Sequence, residues 1–226
     1  MRNLTAALRV IGLLLLIGTA AQAAPYALTN ENPQPSQAAV INVGADSSPL
    51  VWVGGYTGDF TPVAPGPAFI DEKMFCFGPL IIGSATLYDP VPLSSLLGTV
   101  TANNVGALLA NAAAGTTVEL NSAIEAALLK LTFDPSSSDV TTGYLNFTGL
   151  TSNEITLADS YVVNVLDGTW TLPLGDSIIA WNPEGYGQPF DSLVDGPGVS
   201  IPEPASFLLL GSGLVYLVRV RRHRYV

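Results

Sequence analysis

The segment Val118 to Phe133, VELNSAIEAALLKLTF, decides how the middle of the chain folds. Its apolar side chains recur at intervals of three and four residues, the spacing that brings side chains to one face of an α-helix. They are Leu120, Ala123, Ile124, Ala127, Leu128 and Leu131. The helix should end at Asp134-Pro135, because the residue before a proline disfavours the helical conformation. Asn121 or Ser122 is a residue type that caps the start of a helix.

Shorter patterns on both sides of this segment predict the remaining elements. Helices are expected over Asn103–Ala114 and Asn153–Leu166, the second closed by Asp167-Gly168. Short apolar runs between turn residues predict strands. These runs are Ala38–Val43 and Leu50–Val53, which form a hairpin, then Met74–Phe77, Leu80–Leu87, Trp170–Leu174 and Ser177–Trp181. The fold class expected is α+β: a β-rich, sandwich-like core with a small helical subdomain, a signal helix before it and a transmembrane helix after it.

Charge is distributed very unevenly along the 226 residues, a length that suits one domain with a substantial core. The whole chain carries a net charge of −10. Between Ala24 and Ser200 there are seventeen acidic residues and only two basic ones, Lys73 and Lys130. The net charge of this segment is therefore −15. Such a segment repels phosphate backbones, so nucleic-acid binding is excluded. Divalent cations or neutral glycans are better partners for it.

The first 23 residues have the three parts of a secretory signal peptide. Arg2 and Arg9 precede the apolar run Val10–Ile17, and Ala21-Gln22-Ala23 forms a cleavage site of small residues. A buried N-terminal helix is the alternative, but nothing in the sequence caps it. Cleavage after Ala23 would leave Ala24-Pro25 at the new start.

The last residues combine a short apolar segment with a basic end. Residues 205–218 contain no charged residue. This segment is shorter than the roughly 20 residues that span a bilayer. The basic tail 219–226, with Arg219, Arg221, Arg222 and Arg224, extends the reach because arginines snorkel toward the interface. The tail should stay cytoplasmic and the acidic segment should lie outside. A plain C-terminal anchor is the alternative.

This terminal segment resembles the PEP-CTERM sorting signal of Gram-negative bacteria that make extracellular polysaccharide. The resemblance lies in Pro202-Glu203-Pro204, the apolar segment and the arginine cluster, together with a signal peptide in the same chain. It implies insertion in the inner membrane before processing, recognition by an exosortase near the triplet, and release or attachment at the cell surface or outside the cell.

No set of residues in the acidic segment indicates a catalytic site. The only histidine of the chain, His223, lies in the basic tail, so the acidic segment has none, which excludes Ser-His-Asp and Cys-His catalysis and most zinc sites. The acidic residues of Asp134–Asp139 could bind calcium weakly, but they lack the glycine and bidentate glutamate of a calcium loop. A solvated turn is the better interpretation. We therefore expect no catalytic residue, no metal site and no cofactor.

Cys76 is the only cysteine of a chain expected to be exported, so it has no partner for an internal disulfide. A free cysteine often serves as a small buried hydrophobic residue. The flanking Phe75 and Phe77 favour that interpretation.

The order of motifs around Cys76 nevertheless resembles the ectodomain of PEP-CTERM proteins related to thioester-forming (TQXA-type) adhesin domains. The resemblance covers about Leu50 to Val194. It rests on Phe75-Cys76-Phe77, an Ala-rich helix, the stretch Ala123–Leu129, a further helix, and Trp181–Gln188.

The resemblance implies that Cys76 occupies the position of a cysteine that reacts with a glutamine to form an internal thioester. Glu125 occupies the glutamine position, with Ala127 and Leu129 at the positions that follow in the motif. Glutamine loses ammonia in this reaction, whereas glutamate would have to expel water, so we expect no thioester. The helical pattern leaves open whether Glu125 is buried; burial beside Cys76 would raise its pKa.

The predicted organisation is a signal peptide (1–23), an N-terminal extension with the first strand (24–49), an ectodomain (50–194), a linker (195–200) and the sorting signal (201–226). The leading function is that of a non-enzymatic cell-surface or extracellular-matrix protein associated with exopolysaccharide and biofilm. The alternatives are a surface adhesin derived from a thioester domain and, less favoured, a secreted enzyme.

Overall fold

The fold is described from a computed structural model, which covers residues 25–80, 85–112 and 117–194. The predicted signal peptide with Ala21 and Ala23, the linker and the sorting signal lie outside the described residues. The strands within them are β1 Tyr26–Pro33, β2 Gln37–Val43, β3 Asp46–Ser47, β4 Val51–Val53, β5 Tyr56–Pro62, β6 Phe69–Cys76, β7 Leu87–Pro92, β8 Leu145–Thr148, β9 Ser177–Pro183 and β10 Phe190–Val194. The helices are α1 Leu93–Leu97, α2 Thr99–Asn111, α3 Val118–Phe133 and α4 Ser152–Leu166.

Six strands close into an antiparallel barrel in the order β1-β5-β6-β10-β9-β7, with β7 pairing back to β1. The barrel is filled by aromatic side chains: Tyr26, Phe60, Phe69, Tyr88, Trp181 and Phe190. Phe60 and Trp181 stack with ring centroids 3.7 Å apart. The β-rich part of the prediction is therefore confirmed, but the sandwich-like form is wrong. Strands in which apolar and polar residues alternate fit either a sandwich or a barrel, since both bury one face of the sheet.

A second, four-stranded sheet forms around β2, which pairs with β3, β4 and β8. The helices contribute to a shared apolar core with this sheet and with the outer face of the barrel. Ala39 and Ile41 of the small sheet lie in this core, as do Phe75, Ile178 and Ala180 of the barrel. Helix α3 therefore has protein on several sides rather than on one face.

Helix α3 has the bounds that its sequence pattern predicts, and residues 121–131 are all buried. Its cap differs from the prediction. Thr117 accepts a hydrogen bond from the N–H of Leu120, while Asn121 and Ser122 lie inside the helix. Ser122 is used for packing instead: its hydroxyl accepts from the N–H of Gln37 at 3.0 Å and donates to the carbonyl of Val53 at 2.9 Å.

Other segments depart from their predictions for local reasons. The polar stretch 25–37 reads as a flexible start, but β1 occupies most of it, with Tyr26 buried and residues 29–33 facing outward. β1 pairs with β5 and β7, so residues before 50 pack as part of the barrel. The strand predicted over Leu80–Leu87 begins only at Leu87, with residues 81–84 not described.

Two further differences lie near the end of the described region. Trp170–Leu174 is not a strand, because the chain turns back onto α4: the N–H of Trp170 bonds the carbonyl of Asn164. The last residues of the predicted ectodomain, Phe190–Val194, form β10, a strand that the sequence patterns do not predict. Among the described helices, none has the length and apolar character needed to cross a bilayer, and the membrane helix predicted at 205–218 lies outside them.

The end of α3 is fixed by a buried lysine. Lys130 is fully buried, and its Nζ donates to Oδ2 of Asp134 at 2.7 Å and to the carbonyls of Thr142 and Leu145 at 2.6 and 3.0 Å. Burial alone would raise the pKa of Asp134, but hydrogen bonds from Lys130, Ser136 and the backbone of Leu145 lower it below its usual value. The ion pair thus joins α3 to the start of β8.

Candidate functional site

Cys76 lies at the end of β6, opposite Phe190 of β10. Its side chain is free and buried. The position satisfies the interpretation of Cys76 as a small buried residue, since the flanking Phe75 and Phe77 are buried too. The backbone N–H of Cys76, however, bonds to an acidic side chain.

Glu125 lies in the middle of α3 and is 4% exposed. Its Oε2 accepts a hydrogen bond from the backbone N–H of Cys76 at 3.2 Å. The structure thus brings together the two residues that the sequence resemblance pairs, and it answers the open question of whether Glu125 is buried. Burial arises because α3 packs between the small sheet and the barrel, so no face of its middle turns is free.

Asp191 is a second buried acid in this region, and no sequence pattern considered above indicated it. It follows Phe190 in β10 and pairs with Phe75 of β6. Side chains alternate along a strand; Phe190 lies inside the barrel, so Asp191 faces the helical core. Asp191 is fully buried, and neither carboxyl oxygen has a hydrogen-bond partner among the described residues. The period-two pattern of FDSLV is the signal that would have revealed this strand.

Cys76, Glu125 and Asp191 form what we call the buried cluster. Burial raises the pKa of Glu125 well above its usual value, and the charge of Asp191 raises it further, against the opposing hydrogen bond from Cys76. Burial likewise raises the pKa of Asp191. Burial, and then the charges of Glu125 and Asp191, raise the pKa of the Cys76 thiol. The cluster therefore favours neutral acids and a protonated thiol.

A cavity of about 200 Å³ reaches Cys76 and Glu125 between the small sheet, the end of β6 and α3. We call it the Glu125 cavity. Trp52, Tyr56 and Gln188 also line it. Burial, and then the charges of Cys76, Glu125 and Glu31, raise the pKa of Tyr56, so its phenol is neutral. The cavity offers a route by which a ligand could reach the acid of α3.

In the region that the structure describes, no three His, Cys, Asp or Glu side chains are grouped so that they could hold an ion. Asp134, at the start of the weak calcium candidate, is bound to Lys130 and Ser136 instead.

The chemistry open to Cys76 and Glu125 is limited by their protonation. The thiolate, not the thiol, is the nucleophile, and burial keeps Cys76 in the thiol form. A carboxyl group also has no leaving group comparable to ammonia. Burial thus holds both groups in forms that do not favour a covalent bond between them.

No family model matches the sequence, and no match is found among curated proteins. Two solved structures are similar to parts of this chain. The thioester domain of the Staphylococcus aureus TIE protein has a TM-score of 0.47 and 8% identity, covering 74% of this chain and 92% of its own. The N-terminal domain of the Streptococcus pyogenes pilus tip adhesin Cpa has a TM-score of 0.41 and 11% identity, covering 72% of this chain and 98% of its own.

The remaining predicted site residues lie outside the described part of the chain. They are the sorting triplet Pro202, Glu203 and Pro204 and the tail residues Arg219, Arg221, Arg222 and Arg224. Sorting thus remains a prediction from sequence.

Proposed function

We propose that this chain is an exported cell-surface protein whose ectodomain binds its target without a covalent bond, on a thioester-type fold in which an acid replaces the reactive amide. One observation carries the proposal: the N–H of Cys76 bonds Oε2 of Glu125 at 3.2 Å within the buried cluster. This bond holds the backbone of Cys76 against the acid that occupies the glutamine position of the sequence resemblance, which supports a thioester-type arrangement with one group changed.

That change removes the driving force of the covalent step. When the acyl group is an amide, the cysteine sulfur bonds to the amide carbon, the carbon–nitrogen bond breaks, and ammonia leaves with the thiol proton. With Glu125 the same bond formation must expel water. The raised pKa of Cys76 opposes it further, because little thiolate is present to attack.

The mass of the exported protein tests this proposal. We expect a mass equal to the cleaved sequence, unchanged after incubation with methylamine. A mass lower by one water, together with a methylamine adduct, would show a thioester and overturn the non-covalent mode. Turnover of any substrate that is lost on Glu125→Gln would instead favour the secreted-enzyme alternative.

Export and sorting form the second part of the proposal. The signal peptide, the triplet Pro202-Glu203-Pro204, the segment 205–218 and the arginine tail support transient insertion in the inner membrane and processing by an exosortase. The processed protein would then lie at the cell surface or in the extracellular matrix, associated with exopolysaccharide in a biofilm.

Fractionation of cells with and without the exosortase tests the sorting step. We expect the triplet changed to three alanines to keep the chain in the membrane fraction, as loss of the exosortase does. Pro197→Ala, just before the sorting signal, is the matched control and should be processed normally. Equal release of all forms would contradict recognition of the triplet.

A further inference from the structure

The Glu125 cavity has an aromatic rim that is open to solvent. Trp52 of β4 is 69% exposed, and the neighbouring Leu50 is 70% exposed. Large apolar side chains next to each other at the mouth of a cavity indicate a binding surface, because scattered single ones are the ordinary case. The indole provides a broad flat face beside the opening.

Deeper in the cavity, polar side chains line the wall. Glu125 accepts the N–H of Cys76 through Oε2, and Gln188 and Tyr56 line the same space. An amide, a phenol and a neutral carboxyl group each both donate and accept hydrogen bonds. The cavity thus has an apolar wall and a set of polar groups converging on one space, as small-molecule sites do.

The two ionisable groups, Glu125 and Tyr56, favour their neutral forms. Burial raises the pKa of Glu125 and of Tyr56, which favours their neutral forms. A cationic ligand would first have to remove the proton of Glu125, and an anionic ligand would meet the segment 24–200, whose net charge is −15. A neutral ligand with hydroxyl groups avoids both costs.

The size of the cavity sets how much of a ligand it can take. At about 200 Å³ it is below the roughly 300–1,000 Å³ of sites that enclose drug-sized molecules. It therefore suits one ring with its substituents rather than a length of polymer.

We propose that the Glu125 cavity binds one neutral sugar ring, such as the terminal residue of a glycan. The apolar face of the ring would stack on Trp52, and its hydroxyls would bond to Gln188 and Glu125. This names the ligand of the surface-binding function proposed above and rests on it.

Titration of the full-length chain with neutral monosaccharides tests the proposal. The probes are glucose, galactose, mannose and N-acetylglucosamine, with glucuronate and methylamine as charged comparisons. Saturation-transfer NMR and tryptophan fluorescence report binding. We expect at least one neutral sugar to bind saturably in the millimolar range, and the two charged probes not to compete with it.

Variants locate the site. Trp52→Ala and Gln188→Ala should each weaken sugar binding at least tenfold, whereas Trp52→Phe should retain part of it. Tyr186→Ala is the matched control, because Tyr186 is 83% exposed and does not line the cavity. Circular dichroism and urea unfolding show that each variant is folded.

Three results would overturn the sugar site: no binding of any neutral sugar to the folded chain, binding that Trp52→Ala and Gln188→Ala leave unchanged, or saturation by methylamine or glucuronate instead. None of these changes the mass of the exported protein or its fractionation. A failure here is therefore distinguishable from a failure of the proposed function.

Discussion

The backbone N–H of Cys76 donates to Oε2 of Glu125 across 3.2 Å, joining the last residue of a barrel strand to the middle of a helix 49 positions later. The contact fixes the position of the thiol-bearing residue relative to the acid. It also buries a carboxyl group close to a second one, Asp191, which has no partner of its own among the described residues. The chemistry of the site follows from which of these groups carries a proton.

Glu125→Gln should convert the pair into a thioester. The amide provides ammonia as a leaving group, which the acid of Glu125 lacks. We expect a population of molecules lighter by one ammonia, which methylamine converts into an adduct. Intact-mass spectrometry of the purified variant measures both changes.

The matched control for this prediction is the double variant Cys76→Ala with Glu125→Gln, which keeps the amide but lacks the sulfur. It should show neither ammonia loss nor an adduct. A folded Glu125→Gln variant that keeps its full mass on prolonged incubation would show that the two side chains are not arranged for bond formation.

The free energy of unfolding should fall as pH rises above the usual carboxyl range. Glu125 and Asp191 have raised pKa values in the folded state, so the folded chain binds more protons than the unfolded chain. Their contribution is fully present below the unfolded pKa values and is lost as pH rises through the folded ones. Each such proton changes stability by about 1.4 kcal/mol per pH unit within that window.

Asp191→Asn should make this dependence less steep, because one titrating group is removed from the buried cluster. Urea unfolding at a series of pH values above 4 measures the slope for both chains. Asp167→Asn is the control: hydrogen bonds from Thr169 lower the pKa of Asp167, so its contribution is lost only as pH falls through that lowered pKa. Equal slopes for wild type and Asp191→Asn would contradict the assignment of a protonated Asp191.

Local patterns in the sequence predicted three of the four described helices; α1 (Leu93–Leu97) was not predicted, and α2 begins at Thr99 rather than at Asn103. The bounds of α3 are confirmed because a 3.6-residue apolar period and a following Asp134-Pro135 act over short distances. Helix α4 begins at Ser152, one residue before its predicted start. Thr151 and Glu154 form a capping box at its first turn. Helix propensity and caps depend on neighbours in sequence, so a single chain reveals them.

The closure of the sheet and the place of Asp191 depend on distant partners. β10 is a barrel strand because it pairs with β6, more than a hundred residues earlier, and no local pattern states that pairing. For the same reason the sequence does not predict a strand over Phe190–Val194. The pairing of Cys76 with Glu125 could be expected only from the family resemblance; the burial that sets their protonation comes from packing around α3.

Lys130→Met should be strongly destabilising. Nζ of Lys130 donates to Asp134 and to two backbone carbonyls, so removal of the ammonium leaves a nearly buried carboxylate without its counter-charge. Loss of one partner of a buried pair costs about 3–5 kcal/mol, which urea unfolding at neutral pH would measure.

Replacing both partners of that pair separates charge from packing. The double variant Lys130→Met with Asp134→Leu should be more stable than Lys130→Met alone, because no uncompensated charge is left. A single variant as stable as wild type would mean that the ion pair contributes nothing to holding α3 against β8.

Gly143→Ala should disturb the same ion pair from the other side. Gly143 has φ of +90°, and a Cβ there would collide with Oδ2 of Asp134 and come within 2.9 Å of Nζ of Lys130. Gly168 has a similar φ of +80° with no atom within 4 Å of a built Cβ, so Gly168→Ala isolates the backbone cost. That cost is of the order of 1–3 kcal/mol, and crowding adds about 1–3 kcal/mol at Gly143. Urea unfolding of both variants measures the difference, and equal losses would show that the Lys130–Asp134 pair yields to the methyl group without cost.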